Sequence, residues 1–210
     1  MPRYIAITDI HGELSKLESV LSKIETREDD TFVFMGDYID RGPESKGVID
    51  RVIAQSETHQ CVYLIGSHEY AYLHARQKDS YYDYLFWNYG GPATVKSYGS
   101  FENIYKTHGE FLDNLKFYYL TDDYLFVHAG INPHYSLEEQ DETDLVYIRG
   151  AFYNHPHNLP QKVIFGHTEF DEPQIQKDKI CIDLGCGKYK NAKLCALILD
   201  KGREEFIYSD

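Results

Sequence analysis

The sequence has no basic run, no paired-cysteine motif and no long apolar stretch, and each absence narrows what the chain can do. Its 21 lysines and arginines are scattered among 34 aspartates and glutamates, giving a formal charge of -13. Such a field repels polyanions, so nonspecific nucleic-acid binding is disfavoured. A phosphate site would need local arginine or metal charge to overcome it. No segment approaches the ~18 apolar residues of a membrane span, and the opening MPRYIAITD breaks at Asp9 before a signal-peptide core could form. The expected setting is soluble cytoplasm, with neither nucleic acid nor membrane as partner. The cysteines at 61, 181, 186 and 195 sit within apolar runs and lack C-x-x-C spacing. They read as reduced, mostly buried thiols, not as a structural zinc site.

What is present is a series of short β-branched or aromatic runs: Tyr4 to Thr8, Thr31 to Met35, Gln60 to Ile65, Tyr124 to Val127, Lys162 to Phe165, Ile180 to Leu184, Leu194 to Leu199 and Glu205 to Tyr208. Many are too continuously apolar to face water on one side, which is the pattern of interior strands. Between the first three runs, Leu14, Leu17, Leu21 and Ile24, and then Val48, Ile49, Val52 and Ile53, recur at helical spacing. The alternation predicts α/β layering within one domain, 1–210, and periodicity alone suggests a doubly wound sheet. Residues 70–119 differ. They are tyrosine-rich and helical in pattern, with breaks at G-G-P-A-T and Y-G-S, and read as a helical cap-like insert. Tyr81, Tyr82, Tyr84, Phe86, Trp87 and Tyr89 within it are expected to pack as core or cap. The last three runs suggest an antiparallel portion turning at D-K-G.

The informative residues follow the runs: Asp9 and His11 after the first, Asp37, Asp40 and Arg41 after the second, Ser67 and His68 after the third, His128 after the fourth and His167 after the fifth. If the strands are largely parallel, their carboxyl ends share one edge, where α/β proteins place binding sites. One such residue is more often a cap or a hydrogen-bonded structural group, but five strand ends carrying Asp or His are costly to bury without a shared purpose. Mixed carboxylate and imidazole donors suit borderline divalent ions. Asp37 is placed to bridge two of them, and a metal pair acidifies water and clamps a phosphoryl oxygen. Arg41 and Arg149 are candidates for gripping phosphate. His68 is a candidate general acid, with Asp40 able to orient its other ring nitrogen.

T-D-I-H-G at 8 to 12, G-D-Y-I-D-R-G at 36 to 42, G-S-H-E at 66 to 69, V-H-A-G-I at 127 to 131 and F-G-H-T at 165 to 168 together resemble the phosphoprotein phosphatase family of dinuclear metallophosphoesterases, in particular its small bacterial and phage-type serine/threonine phosphatases. The resemblance extends to W-x-x-x-G-G-x-x-T-x-x-S-Y-G near 87 to 99, to I-R-G near 150 and to I-D-L-G-C, and so covers essentially the whole chain. It implies an α/β calcineurin-like fold, a central mixed β-sandwich flanked by helices, in place of the doubly wound sheet. It also implies one metal on Asp9, His11 and Asp37 and a second on Asp37, Ser67, His128 and His167, with phosphate contacts from Arg41 and Arg149 and a general acid at His68 oriented by Asp40. The implied cofactors are two divalent ions, manganese first, with iron, zinc, nickel or cobalt as alternatives.

Two positions depart from the family pattern. Thr8 stands where the first motif has glycine, a mild change. Ser67 stands where the family has asparagine, and a hydroxyl is a shorter and poorer neutral ligand than an amide oxygen. The implied activity is hydrolysis of phosphoric monoesters in proteins. The alternatives are a symmetrical dinucleoside tetraphosphatase or another small-molecule phosphohydrolase, whose base the aromatic stretch 81–89 could stack on, or a weakly active phosphate-binding homologue. The partner is accordingly a phosphorylated protein or a small phosphoester. Glu69 reads as holding the turn, Asp183 and Cys186 as packing, and His59, His74, His108, His134, His155 and His157 as surface or capping residues.

Overall fold

The structure, a computed structural model, describes residues 3–210. In chain order the elements are β1 (Arg3–Ile7), α1 (Leu14–Lys23), β2 (Asp30–Phe34), α2 (Ser45–Gln55), β3 (Gln60–Tyr63), α3 (Ser67–Arg76), α4 (Ser80–Asn88), α5 (Gly91–Tyr98), α6 (Phe101–Asp113), β4 (Tyr118–Leu120), β5 (Tyr124–Val127), α7 (Glu142–Tyr147), α8 (Gly150–Tyr153), β6 (Lys162–Phe165), β7 (Gln174–Ile175), β8 (Lys179–Cys181), β9 (Cys195–Asp200) and β10 (Arg203–Tyr208). A short 3-10 turn, Leu137–Glu139, precedes α7.

The strands form two five-stranded mixed sheets, ordered β10-β9-β1-β2-β3 and β4-β5-β6-β8-β7. In the first, β1, β2 and β3 run parallel and the β9–β10 hairpin is antiparallel to β1. In the second, β5, β6 and β8 run parallel between antiparallel edges. The continuous apolar runs have a simple cause: side chains alternate between two buried faces. Ala6, Val33 and Met35 meet Phe126, Ile164 and Ile180 between the sheets. Ile5, Ile7, Phe32 and Phe34 face outward beneath α1 and α2, packed with Leu17, Val48 and Val52. On the opposite outer face, Leu125, Val127 and Phe165 lie under Leu145 and Phe152 of α7 and α8. This is the calcineurin-like α/β sandwich, and the single doubly wound sheet is corrected.

Three further readings change. The run at 180–184 belongs to the second sheet, its strand β8 being parallel to β6. The antiparallel ending is therefore the β9–β10 hairpin alone, turning at Lys201 and Gly202, both with positive φ. The edge strands β4 and β7, three and two residues long, carry too little pattern for periodicity to detect. Among the aromatics at 81–89, Phe86 is buried as expected, whereas Tyr81, Tyr84, Trp87 and Tyr89 are exposed. The helices α3 to α6 do break at the Gly90–Pro92 and Gly99–Ser100 positions. No described helix is long and apolar enough to cross a membrane, and the four cysteines are unpaired thiols.

Phe126 lies between the sheets, its ring 5.4 Å from that of Tyr4 on the opposing sheet and 6.0 Å from that of Tyr119 on its own. Truncating it leaves a cavity at the sandwich centre, so Phe126→Ala is expected to cost about 3–5 kcal/mol, read as a fall in the urea midpoint at unchanged m-value.

Candidate metal centre

Loops from both sheets meet at one end of the sandwich. The turn after β1 is laced to the turn after β2 by N–H groups of Asp9, His11 and Gly12 donating to the carbonyls of Gly36, Asp37 and Tyr38 at 2.9–3.1 Å. Within the second sheet the Gly166 N–H donates to His128 O at 2.7 Å, and the two sheets are joined by His128 Nδ1 donating to Met35 O at 2.9 Å. Of the eight described non-glycine residues with positive φ, six lie here: Asp9, His11, Asp37, Asp40, Arg41 and His167. Each such conformation costs on the order of 1 kcal/mol and persists only where surrounding contacts over-determine it. Two glycines let the loops close. A Cβ on Gly66 would stand 2.2 Å from Asp37 Oδ1, and one on Gly166 would stand 2.2 Å from Asp9 Oδ2.

Glu69 holds the strained β2 loop. Its buried carboxylate accepts from the N–H groups of Asp37 (2.8 Å), Tyr38 (2.9 Å), Ile39 (3.2 Å) and Gly66 (3.1 Å). Burial and the nearby Asp37 push its pKa up to about 8, while the four N–H donors act in the opposite sense by favouring the ionised form. Its position three residues after Gly66, at the start of α3, is the acidic half of a capping box. That signal was readable in the sequence and points to the turn-holding role.

Asp37 stands at the centre. Its Oδ2 lies 3.6 Å from His11 Nε2, 3.5 Å from His128 Nε2 and 3.9 Å from His68 Nε2. Donors each ~2.0–2.2 Å from a shared ion lie no more than about 4.4 Å apart, so these spacings fit cations between them. Two close sets emerge, His11–Asp37–His68 and Asp37–His128–His167, with Asp37 common to both. Asp9, expected in the first set, places Oδ1 3.8 Å from His11 Nε2 but is not grouped with both His11 and Asp37, and His68, expected as the acid, stands in that set instead.

The tautomers identify the free lone pairs. Nδ1 of His11 donates to Ile39 O at 2.9 Å, and Nδ1 of His128 donates to Met35 O at 2.9 Å. Each Nε2 is therefore a bare acceptor, and both are buried without a hydrogen-bond partner. An orphaned buried acceptor is costly in a protein interior, and imidazoles fixed by a backbone carbonyl are the usual form of a metal ligand. Burial first, and neighbouring cationic groups after it, hold the pKa of His11 and of His167 well below the ordinary value, so both rings stay neutral. Burial works against ionised Asp37, and positive charge at the surrounding rings, His128 first, outweighs it and leaves its pKa well below normal, a charge that neutral Nε2 acceptors do not supply and a cation between them would. Burial and the Asp37 charge raise Asp9 instead. Deprotonated nitrogen and oxygen donors with no thiolate among them fit a pair of divalent cations.

The other expected residues surround this pair. Ser67, the first residue of α3, donates its hydroxyl to Asp37 Oδ2 at 3.2 Å and Oδ1 at 3.3 Å, and the His68 N–H donates to Oδ1 at 2.9 Å. His68 Nδ1 is 2.6 Å from Asp40 Oδ2, and Arg41 Nη2 is 3.3 Å from His68 Nε2. A guanidinium only donates, so in this arrangement the His68 proton is on Nδ1, facing Asp40, and Nε2 accepts. Burial would lower the pKa of His68, but Asp37 and Asp40 more than offset it and raise it. Arg149 opens onto the same cavity of about 210 Å³ as Arg41, Ser67, His68 and His167.

Four supporting residues had no task in the sequence reading. Thr94 Oγ1 donates to Asp40 Oδ1 at 2.6 Å and accepts from the Asp40 N–H at 2.8 Å. Glu169 lies 3.8 Å from Arg41 and also accepts from Lys188 Nζ at 2.6 Å. The Tyr147 hydroxyl donates to Ser67 O at 3.0 Å. Thr8 is more than a tolerated change, because its hydroxyl donates to Asp9 Oδ2 at 2.7 Å. Only Thr94 carried a sequence signal, as the threonine of the G-G-x-x-T stretch. Asp183 is buried and accepts the Gly185 N–H at 2.8 Å, and His108 is buried between Tyr98 and Asp50.

Comparison with known proteins agrees with this geometry. The asymmetrical bis(5'-nucleosyl)-tetraphosphatase PrpE of Anoxybacillus flavithermus is 26% identical over 216 residues, covering 87% of this chain and 85% of that protein. A crystal structure provisionally described as a diadenosine tetraphosphatase superposes with a TM-score of 0.73 at 22% identity, covering all of this chain and 96% of the other. A serine/threonine phosphatase from Saccharomyces cerevisiae superposes at 0.70 with 16% identity, covering all of this chain and 80% of the other. At these identities the two structures share the fold alone. The calcineurin-like phosphoesterase family model matches residues 2–207, and the chain, carrying the family's fold and two metal-ligand clusters joined at Asp37, belongs to that family as a metal-dependent phosphoesterase.

Proposed function

We propose that this chain cleaves the phosphoanhydride of dinucleoside tetraphosphates, with one divalent cation on Asp9, His11 and Asp37 and a second on Asp37, Ser67, His128 and His167. The observation that carries the metal assignment is the sharing of Asp37 between two buried sets whose His11 and His128 Nε2 atoms have no other partner. Of the two activities expected from the sequence, serine/threonine protein phosphatase and tetraphosphatase, the curated relative supports the second. Its asymmetrical cleavage favours a nucleoside monophosphate and a triphosphate as products, in place of the symmetrical cut. Manganese is the first cation to test, since the donors are oxygen and nitrogen only.

When bound, divalent cations supply Lewis-acid charge at the phosphoryl oxygens and acidify water. The chain's own groups do the rest. Arg41 and Arg149 reach the cavity and grip the phosphoryl oxygens that the acidic exterior would otherwise repel. Asp40, fixed by Thr94, holds the Nδ1 proton of His68. Arg41 now donates to His68 Nε2. Once its guanidinium turns to phosphate, Nε2 is released to carry a second proton and deliver it to the leaving oxygen.

With saturating manganese, kcat/KM on diadenosine tetraphosphate is expected to exceed that on a phosphoseryl peptide by at least about ten-fold, and chromatography should show AMP and ATP. Preference for the peptide would sink this reading. General acids contribute roughly 10²–10⁴-fold, and a better leaving group needs less of that help. His68→Asn should therefore lower kcat on phenyl phosphate by about 10²-fold, and by clearly less on p-nitrophenyl phosphate. An equal loss on both would remove His68 from proton delivery. Ser67→Asn, which supplies a longer and stronger neutral oxygen, should tighten binding of the second Mn2+ by about ten-fold, measured by calorimetry, and raise turnover at limiting metal. An unchanged or weaker second site would mean that Ser67 is not a ligand.

A further inference from the structure

The cation centre and the arginines account for phosphate, whereas for the bases of the proposed substrate the sequence offered only the aromatic stretch 81–89 as a whole. The cavity over the centre has a second wall. Opposite His68, Arg149 and His167 it is lined by Tyr81, Leu85 and Tyr89. These recur every four residues along α4 and its C-terminal cap, making one stripe roughly 12 Å long at the ~1.5 Å rise of a helix. The adjacent face of α4 fastens it down. Phe86 is buried against Tyr72 and Phe101, with ring centroids 5.5 and 5.4 Å away, and Tyr82 stands edge-on to Tyr70 at 5.4 Å. The stripe is therefore not needed to hold the helix, and Tyr81 and Tyr89 remain 63% and 57% exposed. Aromatic rings left in water at the rim of a charged cleft mark a ligand surface.

One end of the stripe is tied to the phosphate side. Gly90, the residue after Tyr89, accepts the Arg41 N–H at 3.3 Å, and a Cβ there would stand 2.6 Å from Arg41 N. A ligand gripped by Arg41 thus begins beside Tyr89, and the aromatic face leads away from the charge towards Tyr81. That geometry suits a flat ring separated from its phosphate by a sugar. It suits a phosphotyrosine less well, since there the ring is bonded directly to the phosphate oxygen.

We infer that the Tyr81–Leu85–Tyr89 face of α4 is a stacking surface for a nucleobase, making the enzyme selective for nucleoside phosphates over base-free phosphates. The phosphate end of this inference rests on the proposed function. The stacking surface itself does not require turnover. Because every base offers a π-face, the surface selects for the presence of a base more than for its identity.

The test uses two ligands that resist cleavage at the P–C–P linkage, α,β-methylene ADP and the base-free methylenediphosphonate, titrated calorimetrically into the manganese-loaded protein. Stacking contributes roughly 1–3 kcal/mol per base, so the nucleotide analogue should bind at least about ten-fold more tightly. The Y81A/Y89A double variant should lose most of that preference while binding methylenediphosphonate unchanged, and Y81F/Y89F should keep it. Both positions are exposed, so thermal denaturation should show all variants folded. Equal affinity for the two ligands, no binding of either, a preference that survives in Y81A/Y89A, or a phosphotyrosyl peptide that outcompetes the nucleotide analogue would each overturn the inference. Loss of the preference in Y81A/Y89A supports the surface even if diadenosine tetraphosphate is not cleaved, an outcome that defeats only the proposed substrate.

Discussion

The whole active end of this protein depends on keeping one carboxylate, Asp37, ionised in the interior. It is 1% exposed, and burying a charge without compensation is prohibitive. Part of the compensation is visible in the chain. The His68 N–H at the start of α3 and the Ser67 hydroxyl both donate to it. The remainder would come from cations held between it and imidazoles whose bare Nε2 atoms face it, and those imidazoles cannot come from one sheet. His11 follows β1, whereas His128 follows β5 in the opposing sheet. The sandwich is thus what allows a single carboxylate to serve two donor sets, and the His128–Met35 contact is where the second sheet is locked to the first.

Holding those donors requires an unusual concentration of left-handed backbone. Asp9, His11, Asp37, Asp40, Arg41 and His167 are all at positive φ, together an expense of several kcal/mol at roughly 1 kcal/mol each. Ile10, Tyr38 and Ile39 of these loops are buried in the core, and hydrogen bonds satisfy the polar groups around them. Glu69 satisfies four N–H groups around the β2 loop with one side chain, and Thr94 satisfies both the carboxylate and the N–H of Asp40. Such contacts explain why residues that touch no substrate still determine the centre. Removing either would leave several buried donors or acceptors unpaired at once, each costing about 1–3 kcal/mol.

The sequence carried the centre more clearly than the architecture. Polar residues at strand ends marked Asp9, His11, Asp37, His68, His128 and His167, because a strand end bearing Asp or His interrupts an otherwise apolar pattern. What pattern could not show was which strands share a sheet, since a run buried on both faces reads alike in either one. Only the family resemblance supplied the sandwich. β4 and β7 were too short to leave a period, and their pairing is set by β5 and β8. Glu69 was legible as a turn-holding residue and Thr94 as part of a motif, but what each one holds was not. Their partners are backbone groups and side chains distant in sequence, from residue 37 to residue 69 and from 40 to 94, and no local rule links them. The aromatic stretch 81–89 was misread because composition does not distinguish a ring that faces the core from its neighbour on the helix that does not.

The state of His68 shows how the pieces constrain one another. With Asp40 on Nδ1 and the Arg41 guanidinium on Nε2, the ring is held as a neutral acceptor on its cavity side. Arg41 is in turn shared with Glu169, whose other cation is Lys188. The Arg41–Glu169 separation is 3.8 Å, a loose ion pair with room to yield. In the proposed reaction an anionic phosphoryl group entering between Arg41 and Arg149 would offer the guanidinium charge-assisted, bidentate hydrogen bonds that a neutral imidazole nitrogen cannot match. Moving Arg41 onto the phosphate then removes the positive charge from Nε2 while Asp40 remains on the opposite nitrogen. That loss of positive charge, with Asp40 still in place, favours the imidazolium form. In the proposed reaction, substrate arrival and the arming of the acid would thus be one electrostatic event, because the group that binds phosphate is the one that now occupies His68 Nε2.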